Sequence, residues 1–269
     1  MNATLESSFE LFARRISLSQ HELDNALGRA KEICQFLSQN AAIEEFRITG
    51  SIARLTAIQG FSDVDIVATL ASSSSIPATP CSIAVRLLNT LRPRYREARI
   101  SENTVRIRFT QGPDVDVIPA LLDTVTIKGQ TIYRIPSADR LRWDTYAPEQ
   151  QNVQINQRSA LLGSNFIHMI KIIKWWSKQH GQPLASYEIE NIASATFAYR
   201  MPPITRAIVE FLEIAEHSPE GRQEGHSNSI SEARDTANKA LKCEQQGDTR
   251  GALVHWGRLL GDQFSSVIT

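Results

Sequence analysis

Asp63 and Asp65 alternate at the head of an apolar, β-branched run, Asp63-Val64-Asp65-Ile66-Val67-Ala68-Thr69-Leu70. Alternate side chains of a strand share a face, so this spacing predicts two carboxylates pointing the same way, roughly 7 Å apart. A second short run, Asp114-Val115-Asp116-Val117-Ile118-Pro119-Ala120, has its own alternating acids and could lie beside the first in one sheet. Gathering such acids costs roughly 4 kcal/mol per pair at about 4 Å and an effective dielectric near ~20, and a divalent cation removes that penalty. Oxygen-only ligands suit Mg2+ or Mn2+ better than zinc. The chemistry implied is phosphoryl-type transfer, in which paired ions about 3.5–4 Å apart activate a hydroxyl and neutralise charge on a triphosphate. Upstream, Gly50-Ser51 reads as a tight turn whose backbone N–H groups and hydroxyl could hold terminal phosphates.

These groups need a sheet to present them. Leu18, Leu23, Leu27, Ala30, Ile33, Cys34 and Leu37 recur at helical spacing after a capping box, Ser19-Gln20-His21-Glu22, which predicts a long helix over 16–37. Strands are expected at 45–48 and 64–70, a loop at 71–80, a helix at 81–91, and strands at 95–100 and 104–110. In the last of these Val105, Ile107 and Phe109 face one side, Arg106 and Arg108 the other. Gly112-Pro113 turns the chain into the second acidic strand, and 124–135, with Lys128-Gly129 in its middle, reads as a hairpin. A polar stretch, 136–157, precedes an apolar helix over 159–180 closed by Gly181. Lys171, Lys174 and Lys178 fall near one face of that helix. Beyond it the chain reads as mostly helical, with a polar loop at 217–230.

With 269 residues, zero formal net charge and 42% hydrophobic residues, the chain can bury a sizeable core and has no general nucleic-acid-binding coat. Its first residues lack a basic, apolar leader and no run could span a bilayer, which predicts a cytoplasmic protein without a membrane partner. Cys34, Cys81 and Cys243 are far apart, as expected of reduced, buried fillers. His168, His180, His217 and His226 show no metal-ligand spacing.

The segment Gly50-Ser51-Ile52-Ala53-Arg54-Leu55-Thr56-Ala57-Ile58, followed by Ser62-Asp63-Val64-Asp65, resembles the Gly-Ser-x-Ala-Arg-Gly-Thr-x-Ile block and acids of the cGAS/DncV-like nucleotidyltransferases, the cyclic-oligonucleotide synthases of bacterial anti-phage signalling. Leu55 stands where that family has glycine. Asp116-Val117-Ile118-Pro119-Ala120 is similar to the strand carrying the third metal-binding acid, which favours Asp116 over Asp114. Further similarity runs through Tyr133-Arg134-Ile135-Pro136, Trp143-Asp144-Thr145, Ile170-Lys171-Ile172-Ile173-Lys174-Trp175-Trp176, Leu184-Ala185-Ser186-Tyr187-Glu188-Ile189-Glu190 and the block from Trp256 to Phe264.

The resemblance implies a polymerase-β-like α/β lobe with a mixed sheet and a long N-terminal helix over 1–145, and a helical lobe over 146–269 that closes the active-site cleft. Asp63, Asp65 and Asp116 are then the catalytic, Mg2+- or Mn2+-binding acids. Gly50, Ser51, Arg54, Lys174 and Ser186 bind the nucleotide, and Tyr187 stacks on a base, a contact worth about 1–3 kcal/mol. Core packing is the competing role for Tyr187 and Trp175. The implied activity joins nucleoside triphosphates, ATP among them, into a cyclic di- or trinucleotide that reaches a downstream effector. Alternatives are nucleotide addition to an RNA end, an antibiotic or a protein, and a silent nucleotide-binding sensor. A basic surface of Arg92, Arg94, Arg96 and Arg99 could bind an activating nucleic acid, although the neutral chain favours a solvated face.

Overall fold

The structure, a computed structural model, describes residues 5–71, 79–125, 130–219, 221 and 227–268. In chain order the elements are α1 (Leu5–Arg15), α2 (Gln20–Asn40), β1 (Ile43–Thr49), α3 (Gly50–Ala53), β2 (Val64–Leu70), α4 (Pro80–Leu91), β3 (Arg99–Ser101), β4 (Thr104–Ile107), β5 (Val115–Val125), β6 (Thr131–Pro136) and β7 (Trp143–Tyr146). Then follow α5 (Pro148–Leu162), α6 (Ser164–Gln179), α7 (Ser186–Thr196), α8 (Ile204–His217), α9 (Ser227–Gln245), α10 (Thr249–Leu260) and α11 (Asp262–Ile268). They form two compact units: Leu18–Val153, and Met1–Ser17 together with Gln154–Thr269. The second division falls inside α5, and the first places α1 with the C-terminal helices rather than with the sheet.

In the sheet-bearing unit the strands run β1-β2-β5-β4-β3, and the far half of β5 pairs with β6, which pairs with β7. β2 and β5 are parallel and every other pair is antiparallel, so the sheet is mixed, as expected. Strand alternation sends Val64, Ile66, Val105, Ile107, Val115 and Val117 to one face. There they pack on Ala30, Ile33 and Leu37 of α2 and on Leu87 and Leu91 of α4. Each such side chain contributes about 1.5–3 kcal/mol by leaving water. The expected capping box starts α2: the Ser19 N–H donates to Glu22 Oε2 at 2.8 Å, and Ser19 Oγ accepts from the Glu22 N–H at 3.3 Å. The helix therefore begins at residue 20, not 16.

The helical unit is built on aromatic contacts. On α1, Phe9 and Phe12 lie three residues apart on one face. Phe9 meets Trp256 edge-on at 5.0 Å between centroids, and Phe12 meets Phe264 at 5.3 Å. Trp175, half-buried, packs edge-on against Phe12 and donates its indole N–H to the Leu260 carbonyl at 3.1 Å, so it is engaged in packing within this unit.

Several elements depart from the sequence expectation. The helix read over 159–180 is broken by Gly163, whose φ of 82° places it outside helical backbone, so α5 ends and α6 begins there. The polar stretch at 136–157 contains β7 and the start of α5, because the Trp143–Tyr146 segment pairs with β6. The strands read over 95–100 and 104–110 are reduced to β3 and β4. Cys34 and Cys243 are half-buried and Cys81 is exposed, all three free, so Cys81 is no buried filler. Residues 72–78 of the expected loop, the Lys128-Gly129 turn, and residues 222–226 with His226 lie outside the described residues.

Candidate active site

One cross-strand row organises the site. Thr49 on β1 pairs with Asp65 on β2, Asp65 with Asp116 on β5, Asp116 with Arg106 on β4, and Arg106 with Arg99 on β3. Residues in register on adjacent strands present their side chains on the same face. Asp65 and Asp116 are therefore immediate neighbours, on the sheet face opposite the Val64, Ile66 and Val117 core. Asp63 precedes β2 by one residue and shares the parity of Asp65. Asp114 plays a different part. Its carboxylate accepts the Phe109 N–H at 3.0 Å and its carbonyl accepts the Val64 N–H at 2.9 Å, so it opens the strand and closes the turn.

The acids sit among few counter-charges. Burial, reinforced by Asp116 and Asp63, pushes the Asp65 carboxyl up to about 7, against the opposing pull of Arg54 and Arg106. Asp65 keeps an exposed edge while its carboxyl is packed among protein atoms. Arg54 is 6% exposed and donates to Asn152 Oδ1 at 3.1 Å. Arg106 forks onto Asp116 and also reaches Asp63.

Gly50 serves Asp65 directly. It has φ of 71°, and a Cβ built on it would stand 1.7 Å from Asp65 Oδ2. Only a residue without a side chain lets the backbone approach that carboxylate. Ser51 is half-buried in the single turn of α3, and its carbonyl accepts the Thr56 N–H at 2.9 Å. Leu55 has φ of 59° and is 63% exposed, so a left-handed backbone position is occupied here by a leucine.

A cavity of about 350 Å3 opens over the row, lined by Asp65, Asp116, Arg106, Asn103, Thr104 and Tyr146, among others. A larger depression of about 810 Å3 lies by Glu213, His217 and Arg234 in the helical unit. Clustered acids, not size, single out the smaller one. Sequence reasoning missed Arg106, Asn103, Thr104 and Tyr146 as lining residues. For Arg106 the only signal was its polar parity on a strand, which does not say which strand it would face.

The remaining nucleotide-binding candidates belong to the helical unit. Lys174 is 2% exposed and its ammonium donates to Glu190 Oε1 at 2.6 Å. The Lys171 ammonium donates to Ser17 Oγ at 2.8 Å. Ser186 and Tyr187 open α7, and Tyr187 is 57% exposed with its hydroxyl donating to Glu188 at 3.2 Å. No helix among the described residues is long and apolar enough to cross a membrane.

The chemistry of the donor set fits a hard divalent cation: three aspartates, one of them pushed up by burial and its neighbours' charge, want a positive partner. Among the described residues, however, no three acidic, histidine or cysteine side chains converge closely enough to hold an ion as they stand.

Residues 3–159 match the Second Messenger Oligonucleotide or Dinucleotide Synthetase domain family. A probable cyclic nucleotide synthase of Bacillus cereus (strain VD146) is 24% identical in an alignment 197 residues long that covers 65% of this chain and 59% of that protein. The matched region thus spans about three-fifths of that relative's length. Among solved structures, CdnC from E. coli MS115-1 in a HORMA-deltaN complex has a TM-score of 0.76 at 16% identity, covering 96% of this chain and 98% of that one. The Bradyrhizobium diazoefficiens CD-NTase CdnG, solved with GTP, also scores 0.76, at 10% identity over 99% and 98% of the two chains. Escherichia coli DncV with 3'-deoxy GTP scores 0.62 at 14% identity, over 99% and 83%. These similarities bear out the polymerase-β-like α/β fold.

Proposed function

The chain belongs to the Second Messenger Oligonucleotide or Dinucleotide Synthetase family, and from that membership and its carboxylate row we propose that it is a nucleotidyltransferase making a cyclic di- or trinucleotide second messenger. The observation that carries the proposal is the in-register pairing of Asp65 with Asp116, with Asp63 on the same face. Asp63, Asp65 and Asp116 would hold Mg2+ or Mn2+. Such an ion, when bound, supplies Lewis-acid neutralisation of phosphate charge.

In the proposed reaction a ribose hydroxyl oxygen of one nucleotide attacks the α-phosphorus of a second. The bond to the β-phosphate breaks and pyrophosphate leaves. Asp116 takes the hydroxyl proton, and a second round closes the ring. Gly50 lets the backbone pack on Asp65 and so orients that carboxylate, while Arg54 offsets its charge. Ser51 and the backbone around it are assigned to phosphate. Ser186 and Tyr187 are assigned to the donor triphosphate and base, since a helix start favours anions and an exposed ring suits stacking. Lys174 is assigned to the same triphosphate. An ammonium has three donors, so its bond to Glu190 does not by itself exhaust it. The product would act on a downstream effector in anti-phage defence, in the cytoplasm.

The test is incubation of the protein with the four ribonucleoside triphosphates and Mg2+ or Mn2+, phosphatase treatment, and mass spectrometry. A phosphatase-resistant di- or trinucleotide lacking one water is expected. Asp63→Ala and Asp65→Ala should abolish it with the fold intact. Products that are only linear, or only joined to an added acceptor, would overturn cyclisation, and full activity in either variant would overturn the assignment of the acids.

A further inference from the structure

Arg106 places a fixed positive charge against two of the three acids. Its planar fork engages both oxygens of Asp116, Nε to Oδ1 at 2.8 Å and Nη2 to Oδ2 at 2.6 Å. The same Nη2 reaches Asp63 Oδ2 at 3.0 Å. One guanidinium thus ties together two of the three acids assigned to a divalent cation, and those acids do not converge on a common point in this arrangement.

The two attachments differ in strength. Asp116 is held by two parallel, charge-assisted bonds, its side chain is 8% exposed, and cross-strand register keeps Arg106 directly beside it. Arg106 reaches Asp63 through one longer bond, the Asp63 side chain is 32% exposed, and Asp63 lies just ahead of β2 rather than within it. A divalent ion and an N–H donor can share a carboxylate oxygen through its two lone pairs, but their like charges repel, so each loosens the other's hold. The weaker attachment is the one that yields. An arginine guanidinium stays protonated in proteins, so the competition cannot be relieved by loss of its proton.

We propose that Arg106 is a built-in counter-cation of the acidic cluster, which holds Asp63 and Asp116 when no divalent ion is bound and releases Asp63, but not Asp116, when one loads. This rests on the reading of Asp63, Asp65 and Asp116 as the metal-binding acids. Its consequence is a site that takes up metal poorly by itself and readily with a nucleoside triphosphate, whose phosphate oxygens add ligands and offset the competition.

The test is Mn2+ titration of the full chain without nucleotide, followed by calorimetry and by the electron paramagnetic resonance signal of free Mn2+. Arg106→Met removes the charge, Arg106→Gln keeps hydrogen-bond donors without charge, and Arg106→Lys keeps charge without the fork. The two neutral variants should bind Mn2+ at least about tenfold more tightly than the wild type, a change of about 1.4 kcal/mol, while Arg106→Lys stays near the wild-type affinity. In the wild type, the Arg106 side-chain N–H resonances should shift as Mg2+ is added, a readout that needs no variant to fold. Neutral variants that bind Mn2+ no more tightly than wild type, or resonances that stay put at saturating Mg2+, overturn the counter-cation while leaving the metal site standing. Absence of Mn2+ binding in wild type and variants alike overturns both.

Discussion

Gly50→Ala tests how the acidic row is seated. Two effects act together, and a second glycine separates them. An alanine forced to a φ near the 71° of Gly50 meets the left-handed penalty of about 1–2 kcal/mol. The same penalty, and the same change in unfolded-chain entropy, apply to Gly60→Ala, because Gly60 has φ of 79° and nothing lies within 4 Å of the point a Cβ would occupy. At Gly50 the new Cβ also falls 1.7 Å from Asp65 Oδ2 and 2.6 Å from its Cγ. Restoring ordinary contact near ~3.5 Å moves the carboxylate by roughly 1.5–2 Å. Forcing such an overlap apart costs about 1–3 kcal/mol, which is the expected gap between the two variants in urea unfolding. A displacement of that size at a reacting group costs about 100-fold or more in rate, read as nucleotide product per minute. Asp65→Ala removes the clashing atoms, so the stability penalty of Gly50→Ala should shrink in the double variant. Equal stability of Gly50→Ala and Gly60→Ala, with product formation close to wild type, would refute the seating argument.

Leu55→Gly should raise the urea midpoint, by about 0.5–1 kcal/mol net: it relieves the left-handed cost of about 1–2 kcal/mol but adds unfolded-state entropy, and the leucine it removes is mostly exposed. A lowered midpoint would contradict strain at that turn. Because the folded state holds the Asp65 proton up to about pH 7 while the unfolded chain releases it near the usual 3.8, metal-free stability should fall as pH rises from about 4 to about 7. The loss amounts to about 4 kcal/mol at most, and Asp65→Asn should flatten that slope in unfolding measured across the range. Lys174→Met takes the ammonium away from the buried Glu190 carboxylate and should cost about 3–5 kcal/mol, with Lys174→Met/Glu190→Gln recovering part of it; an equally unstable double variant would show that charge pairing is not the cause.

The features legible in the sequence share a short range. The Ser19–Glu22 capping box, the run at 64–70, the parity of Val105 and Ile107 against Arg106, and the terminating Gly181 each depend on residues within a turn or a strand of one another. Gly163 escapes such reading because a lone glycine inside an apolar pattern does not announce whether it adopts helical or left-handed backbone. The strand at Trp143–Tyr146 escapes it because it lacks an apolar alternation and exists through its pairing with β6. Lys174 looks like one of three lysines on a helix face, and its pairing with Glu190, brought in by α7, is invisible in the local sequence.

From local chemistry alone came the Gly-Ser turn and the alternating acids, since side-chain parity and turn backbone are properties of neighbouring residues; the preference for Asp116 over Asp114 came from the resemblance to the family block. Tertiary structure alone decided that β2 and β5 run parallel with Asp65 opposite Asp116, that Arg106 bridges Asp116 and Asp63, that Gly50 lies against a carboxylate, and that α1 joins the C-terminal helices. Strand register between segments about fifty residues apart follows from which faces bury together, and no short window of the chain contains that information.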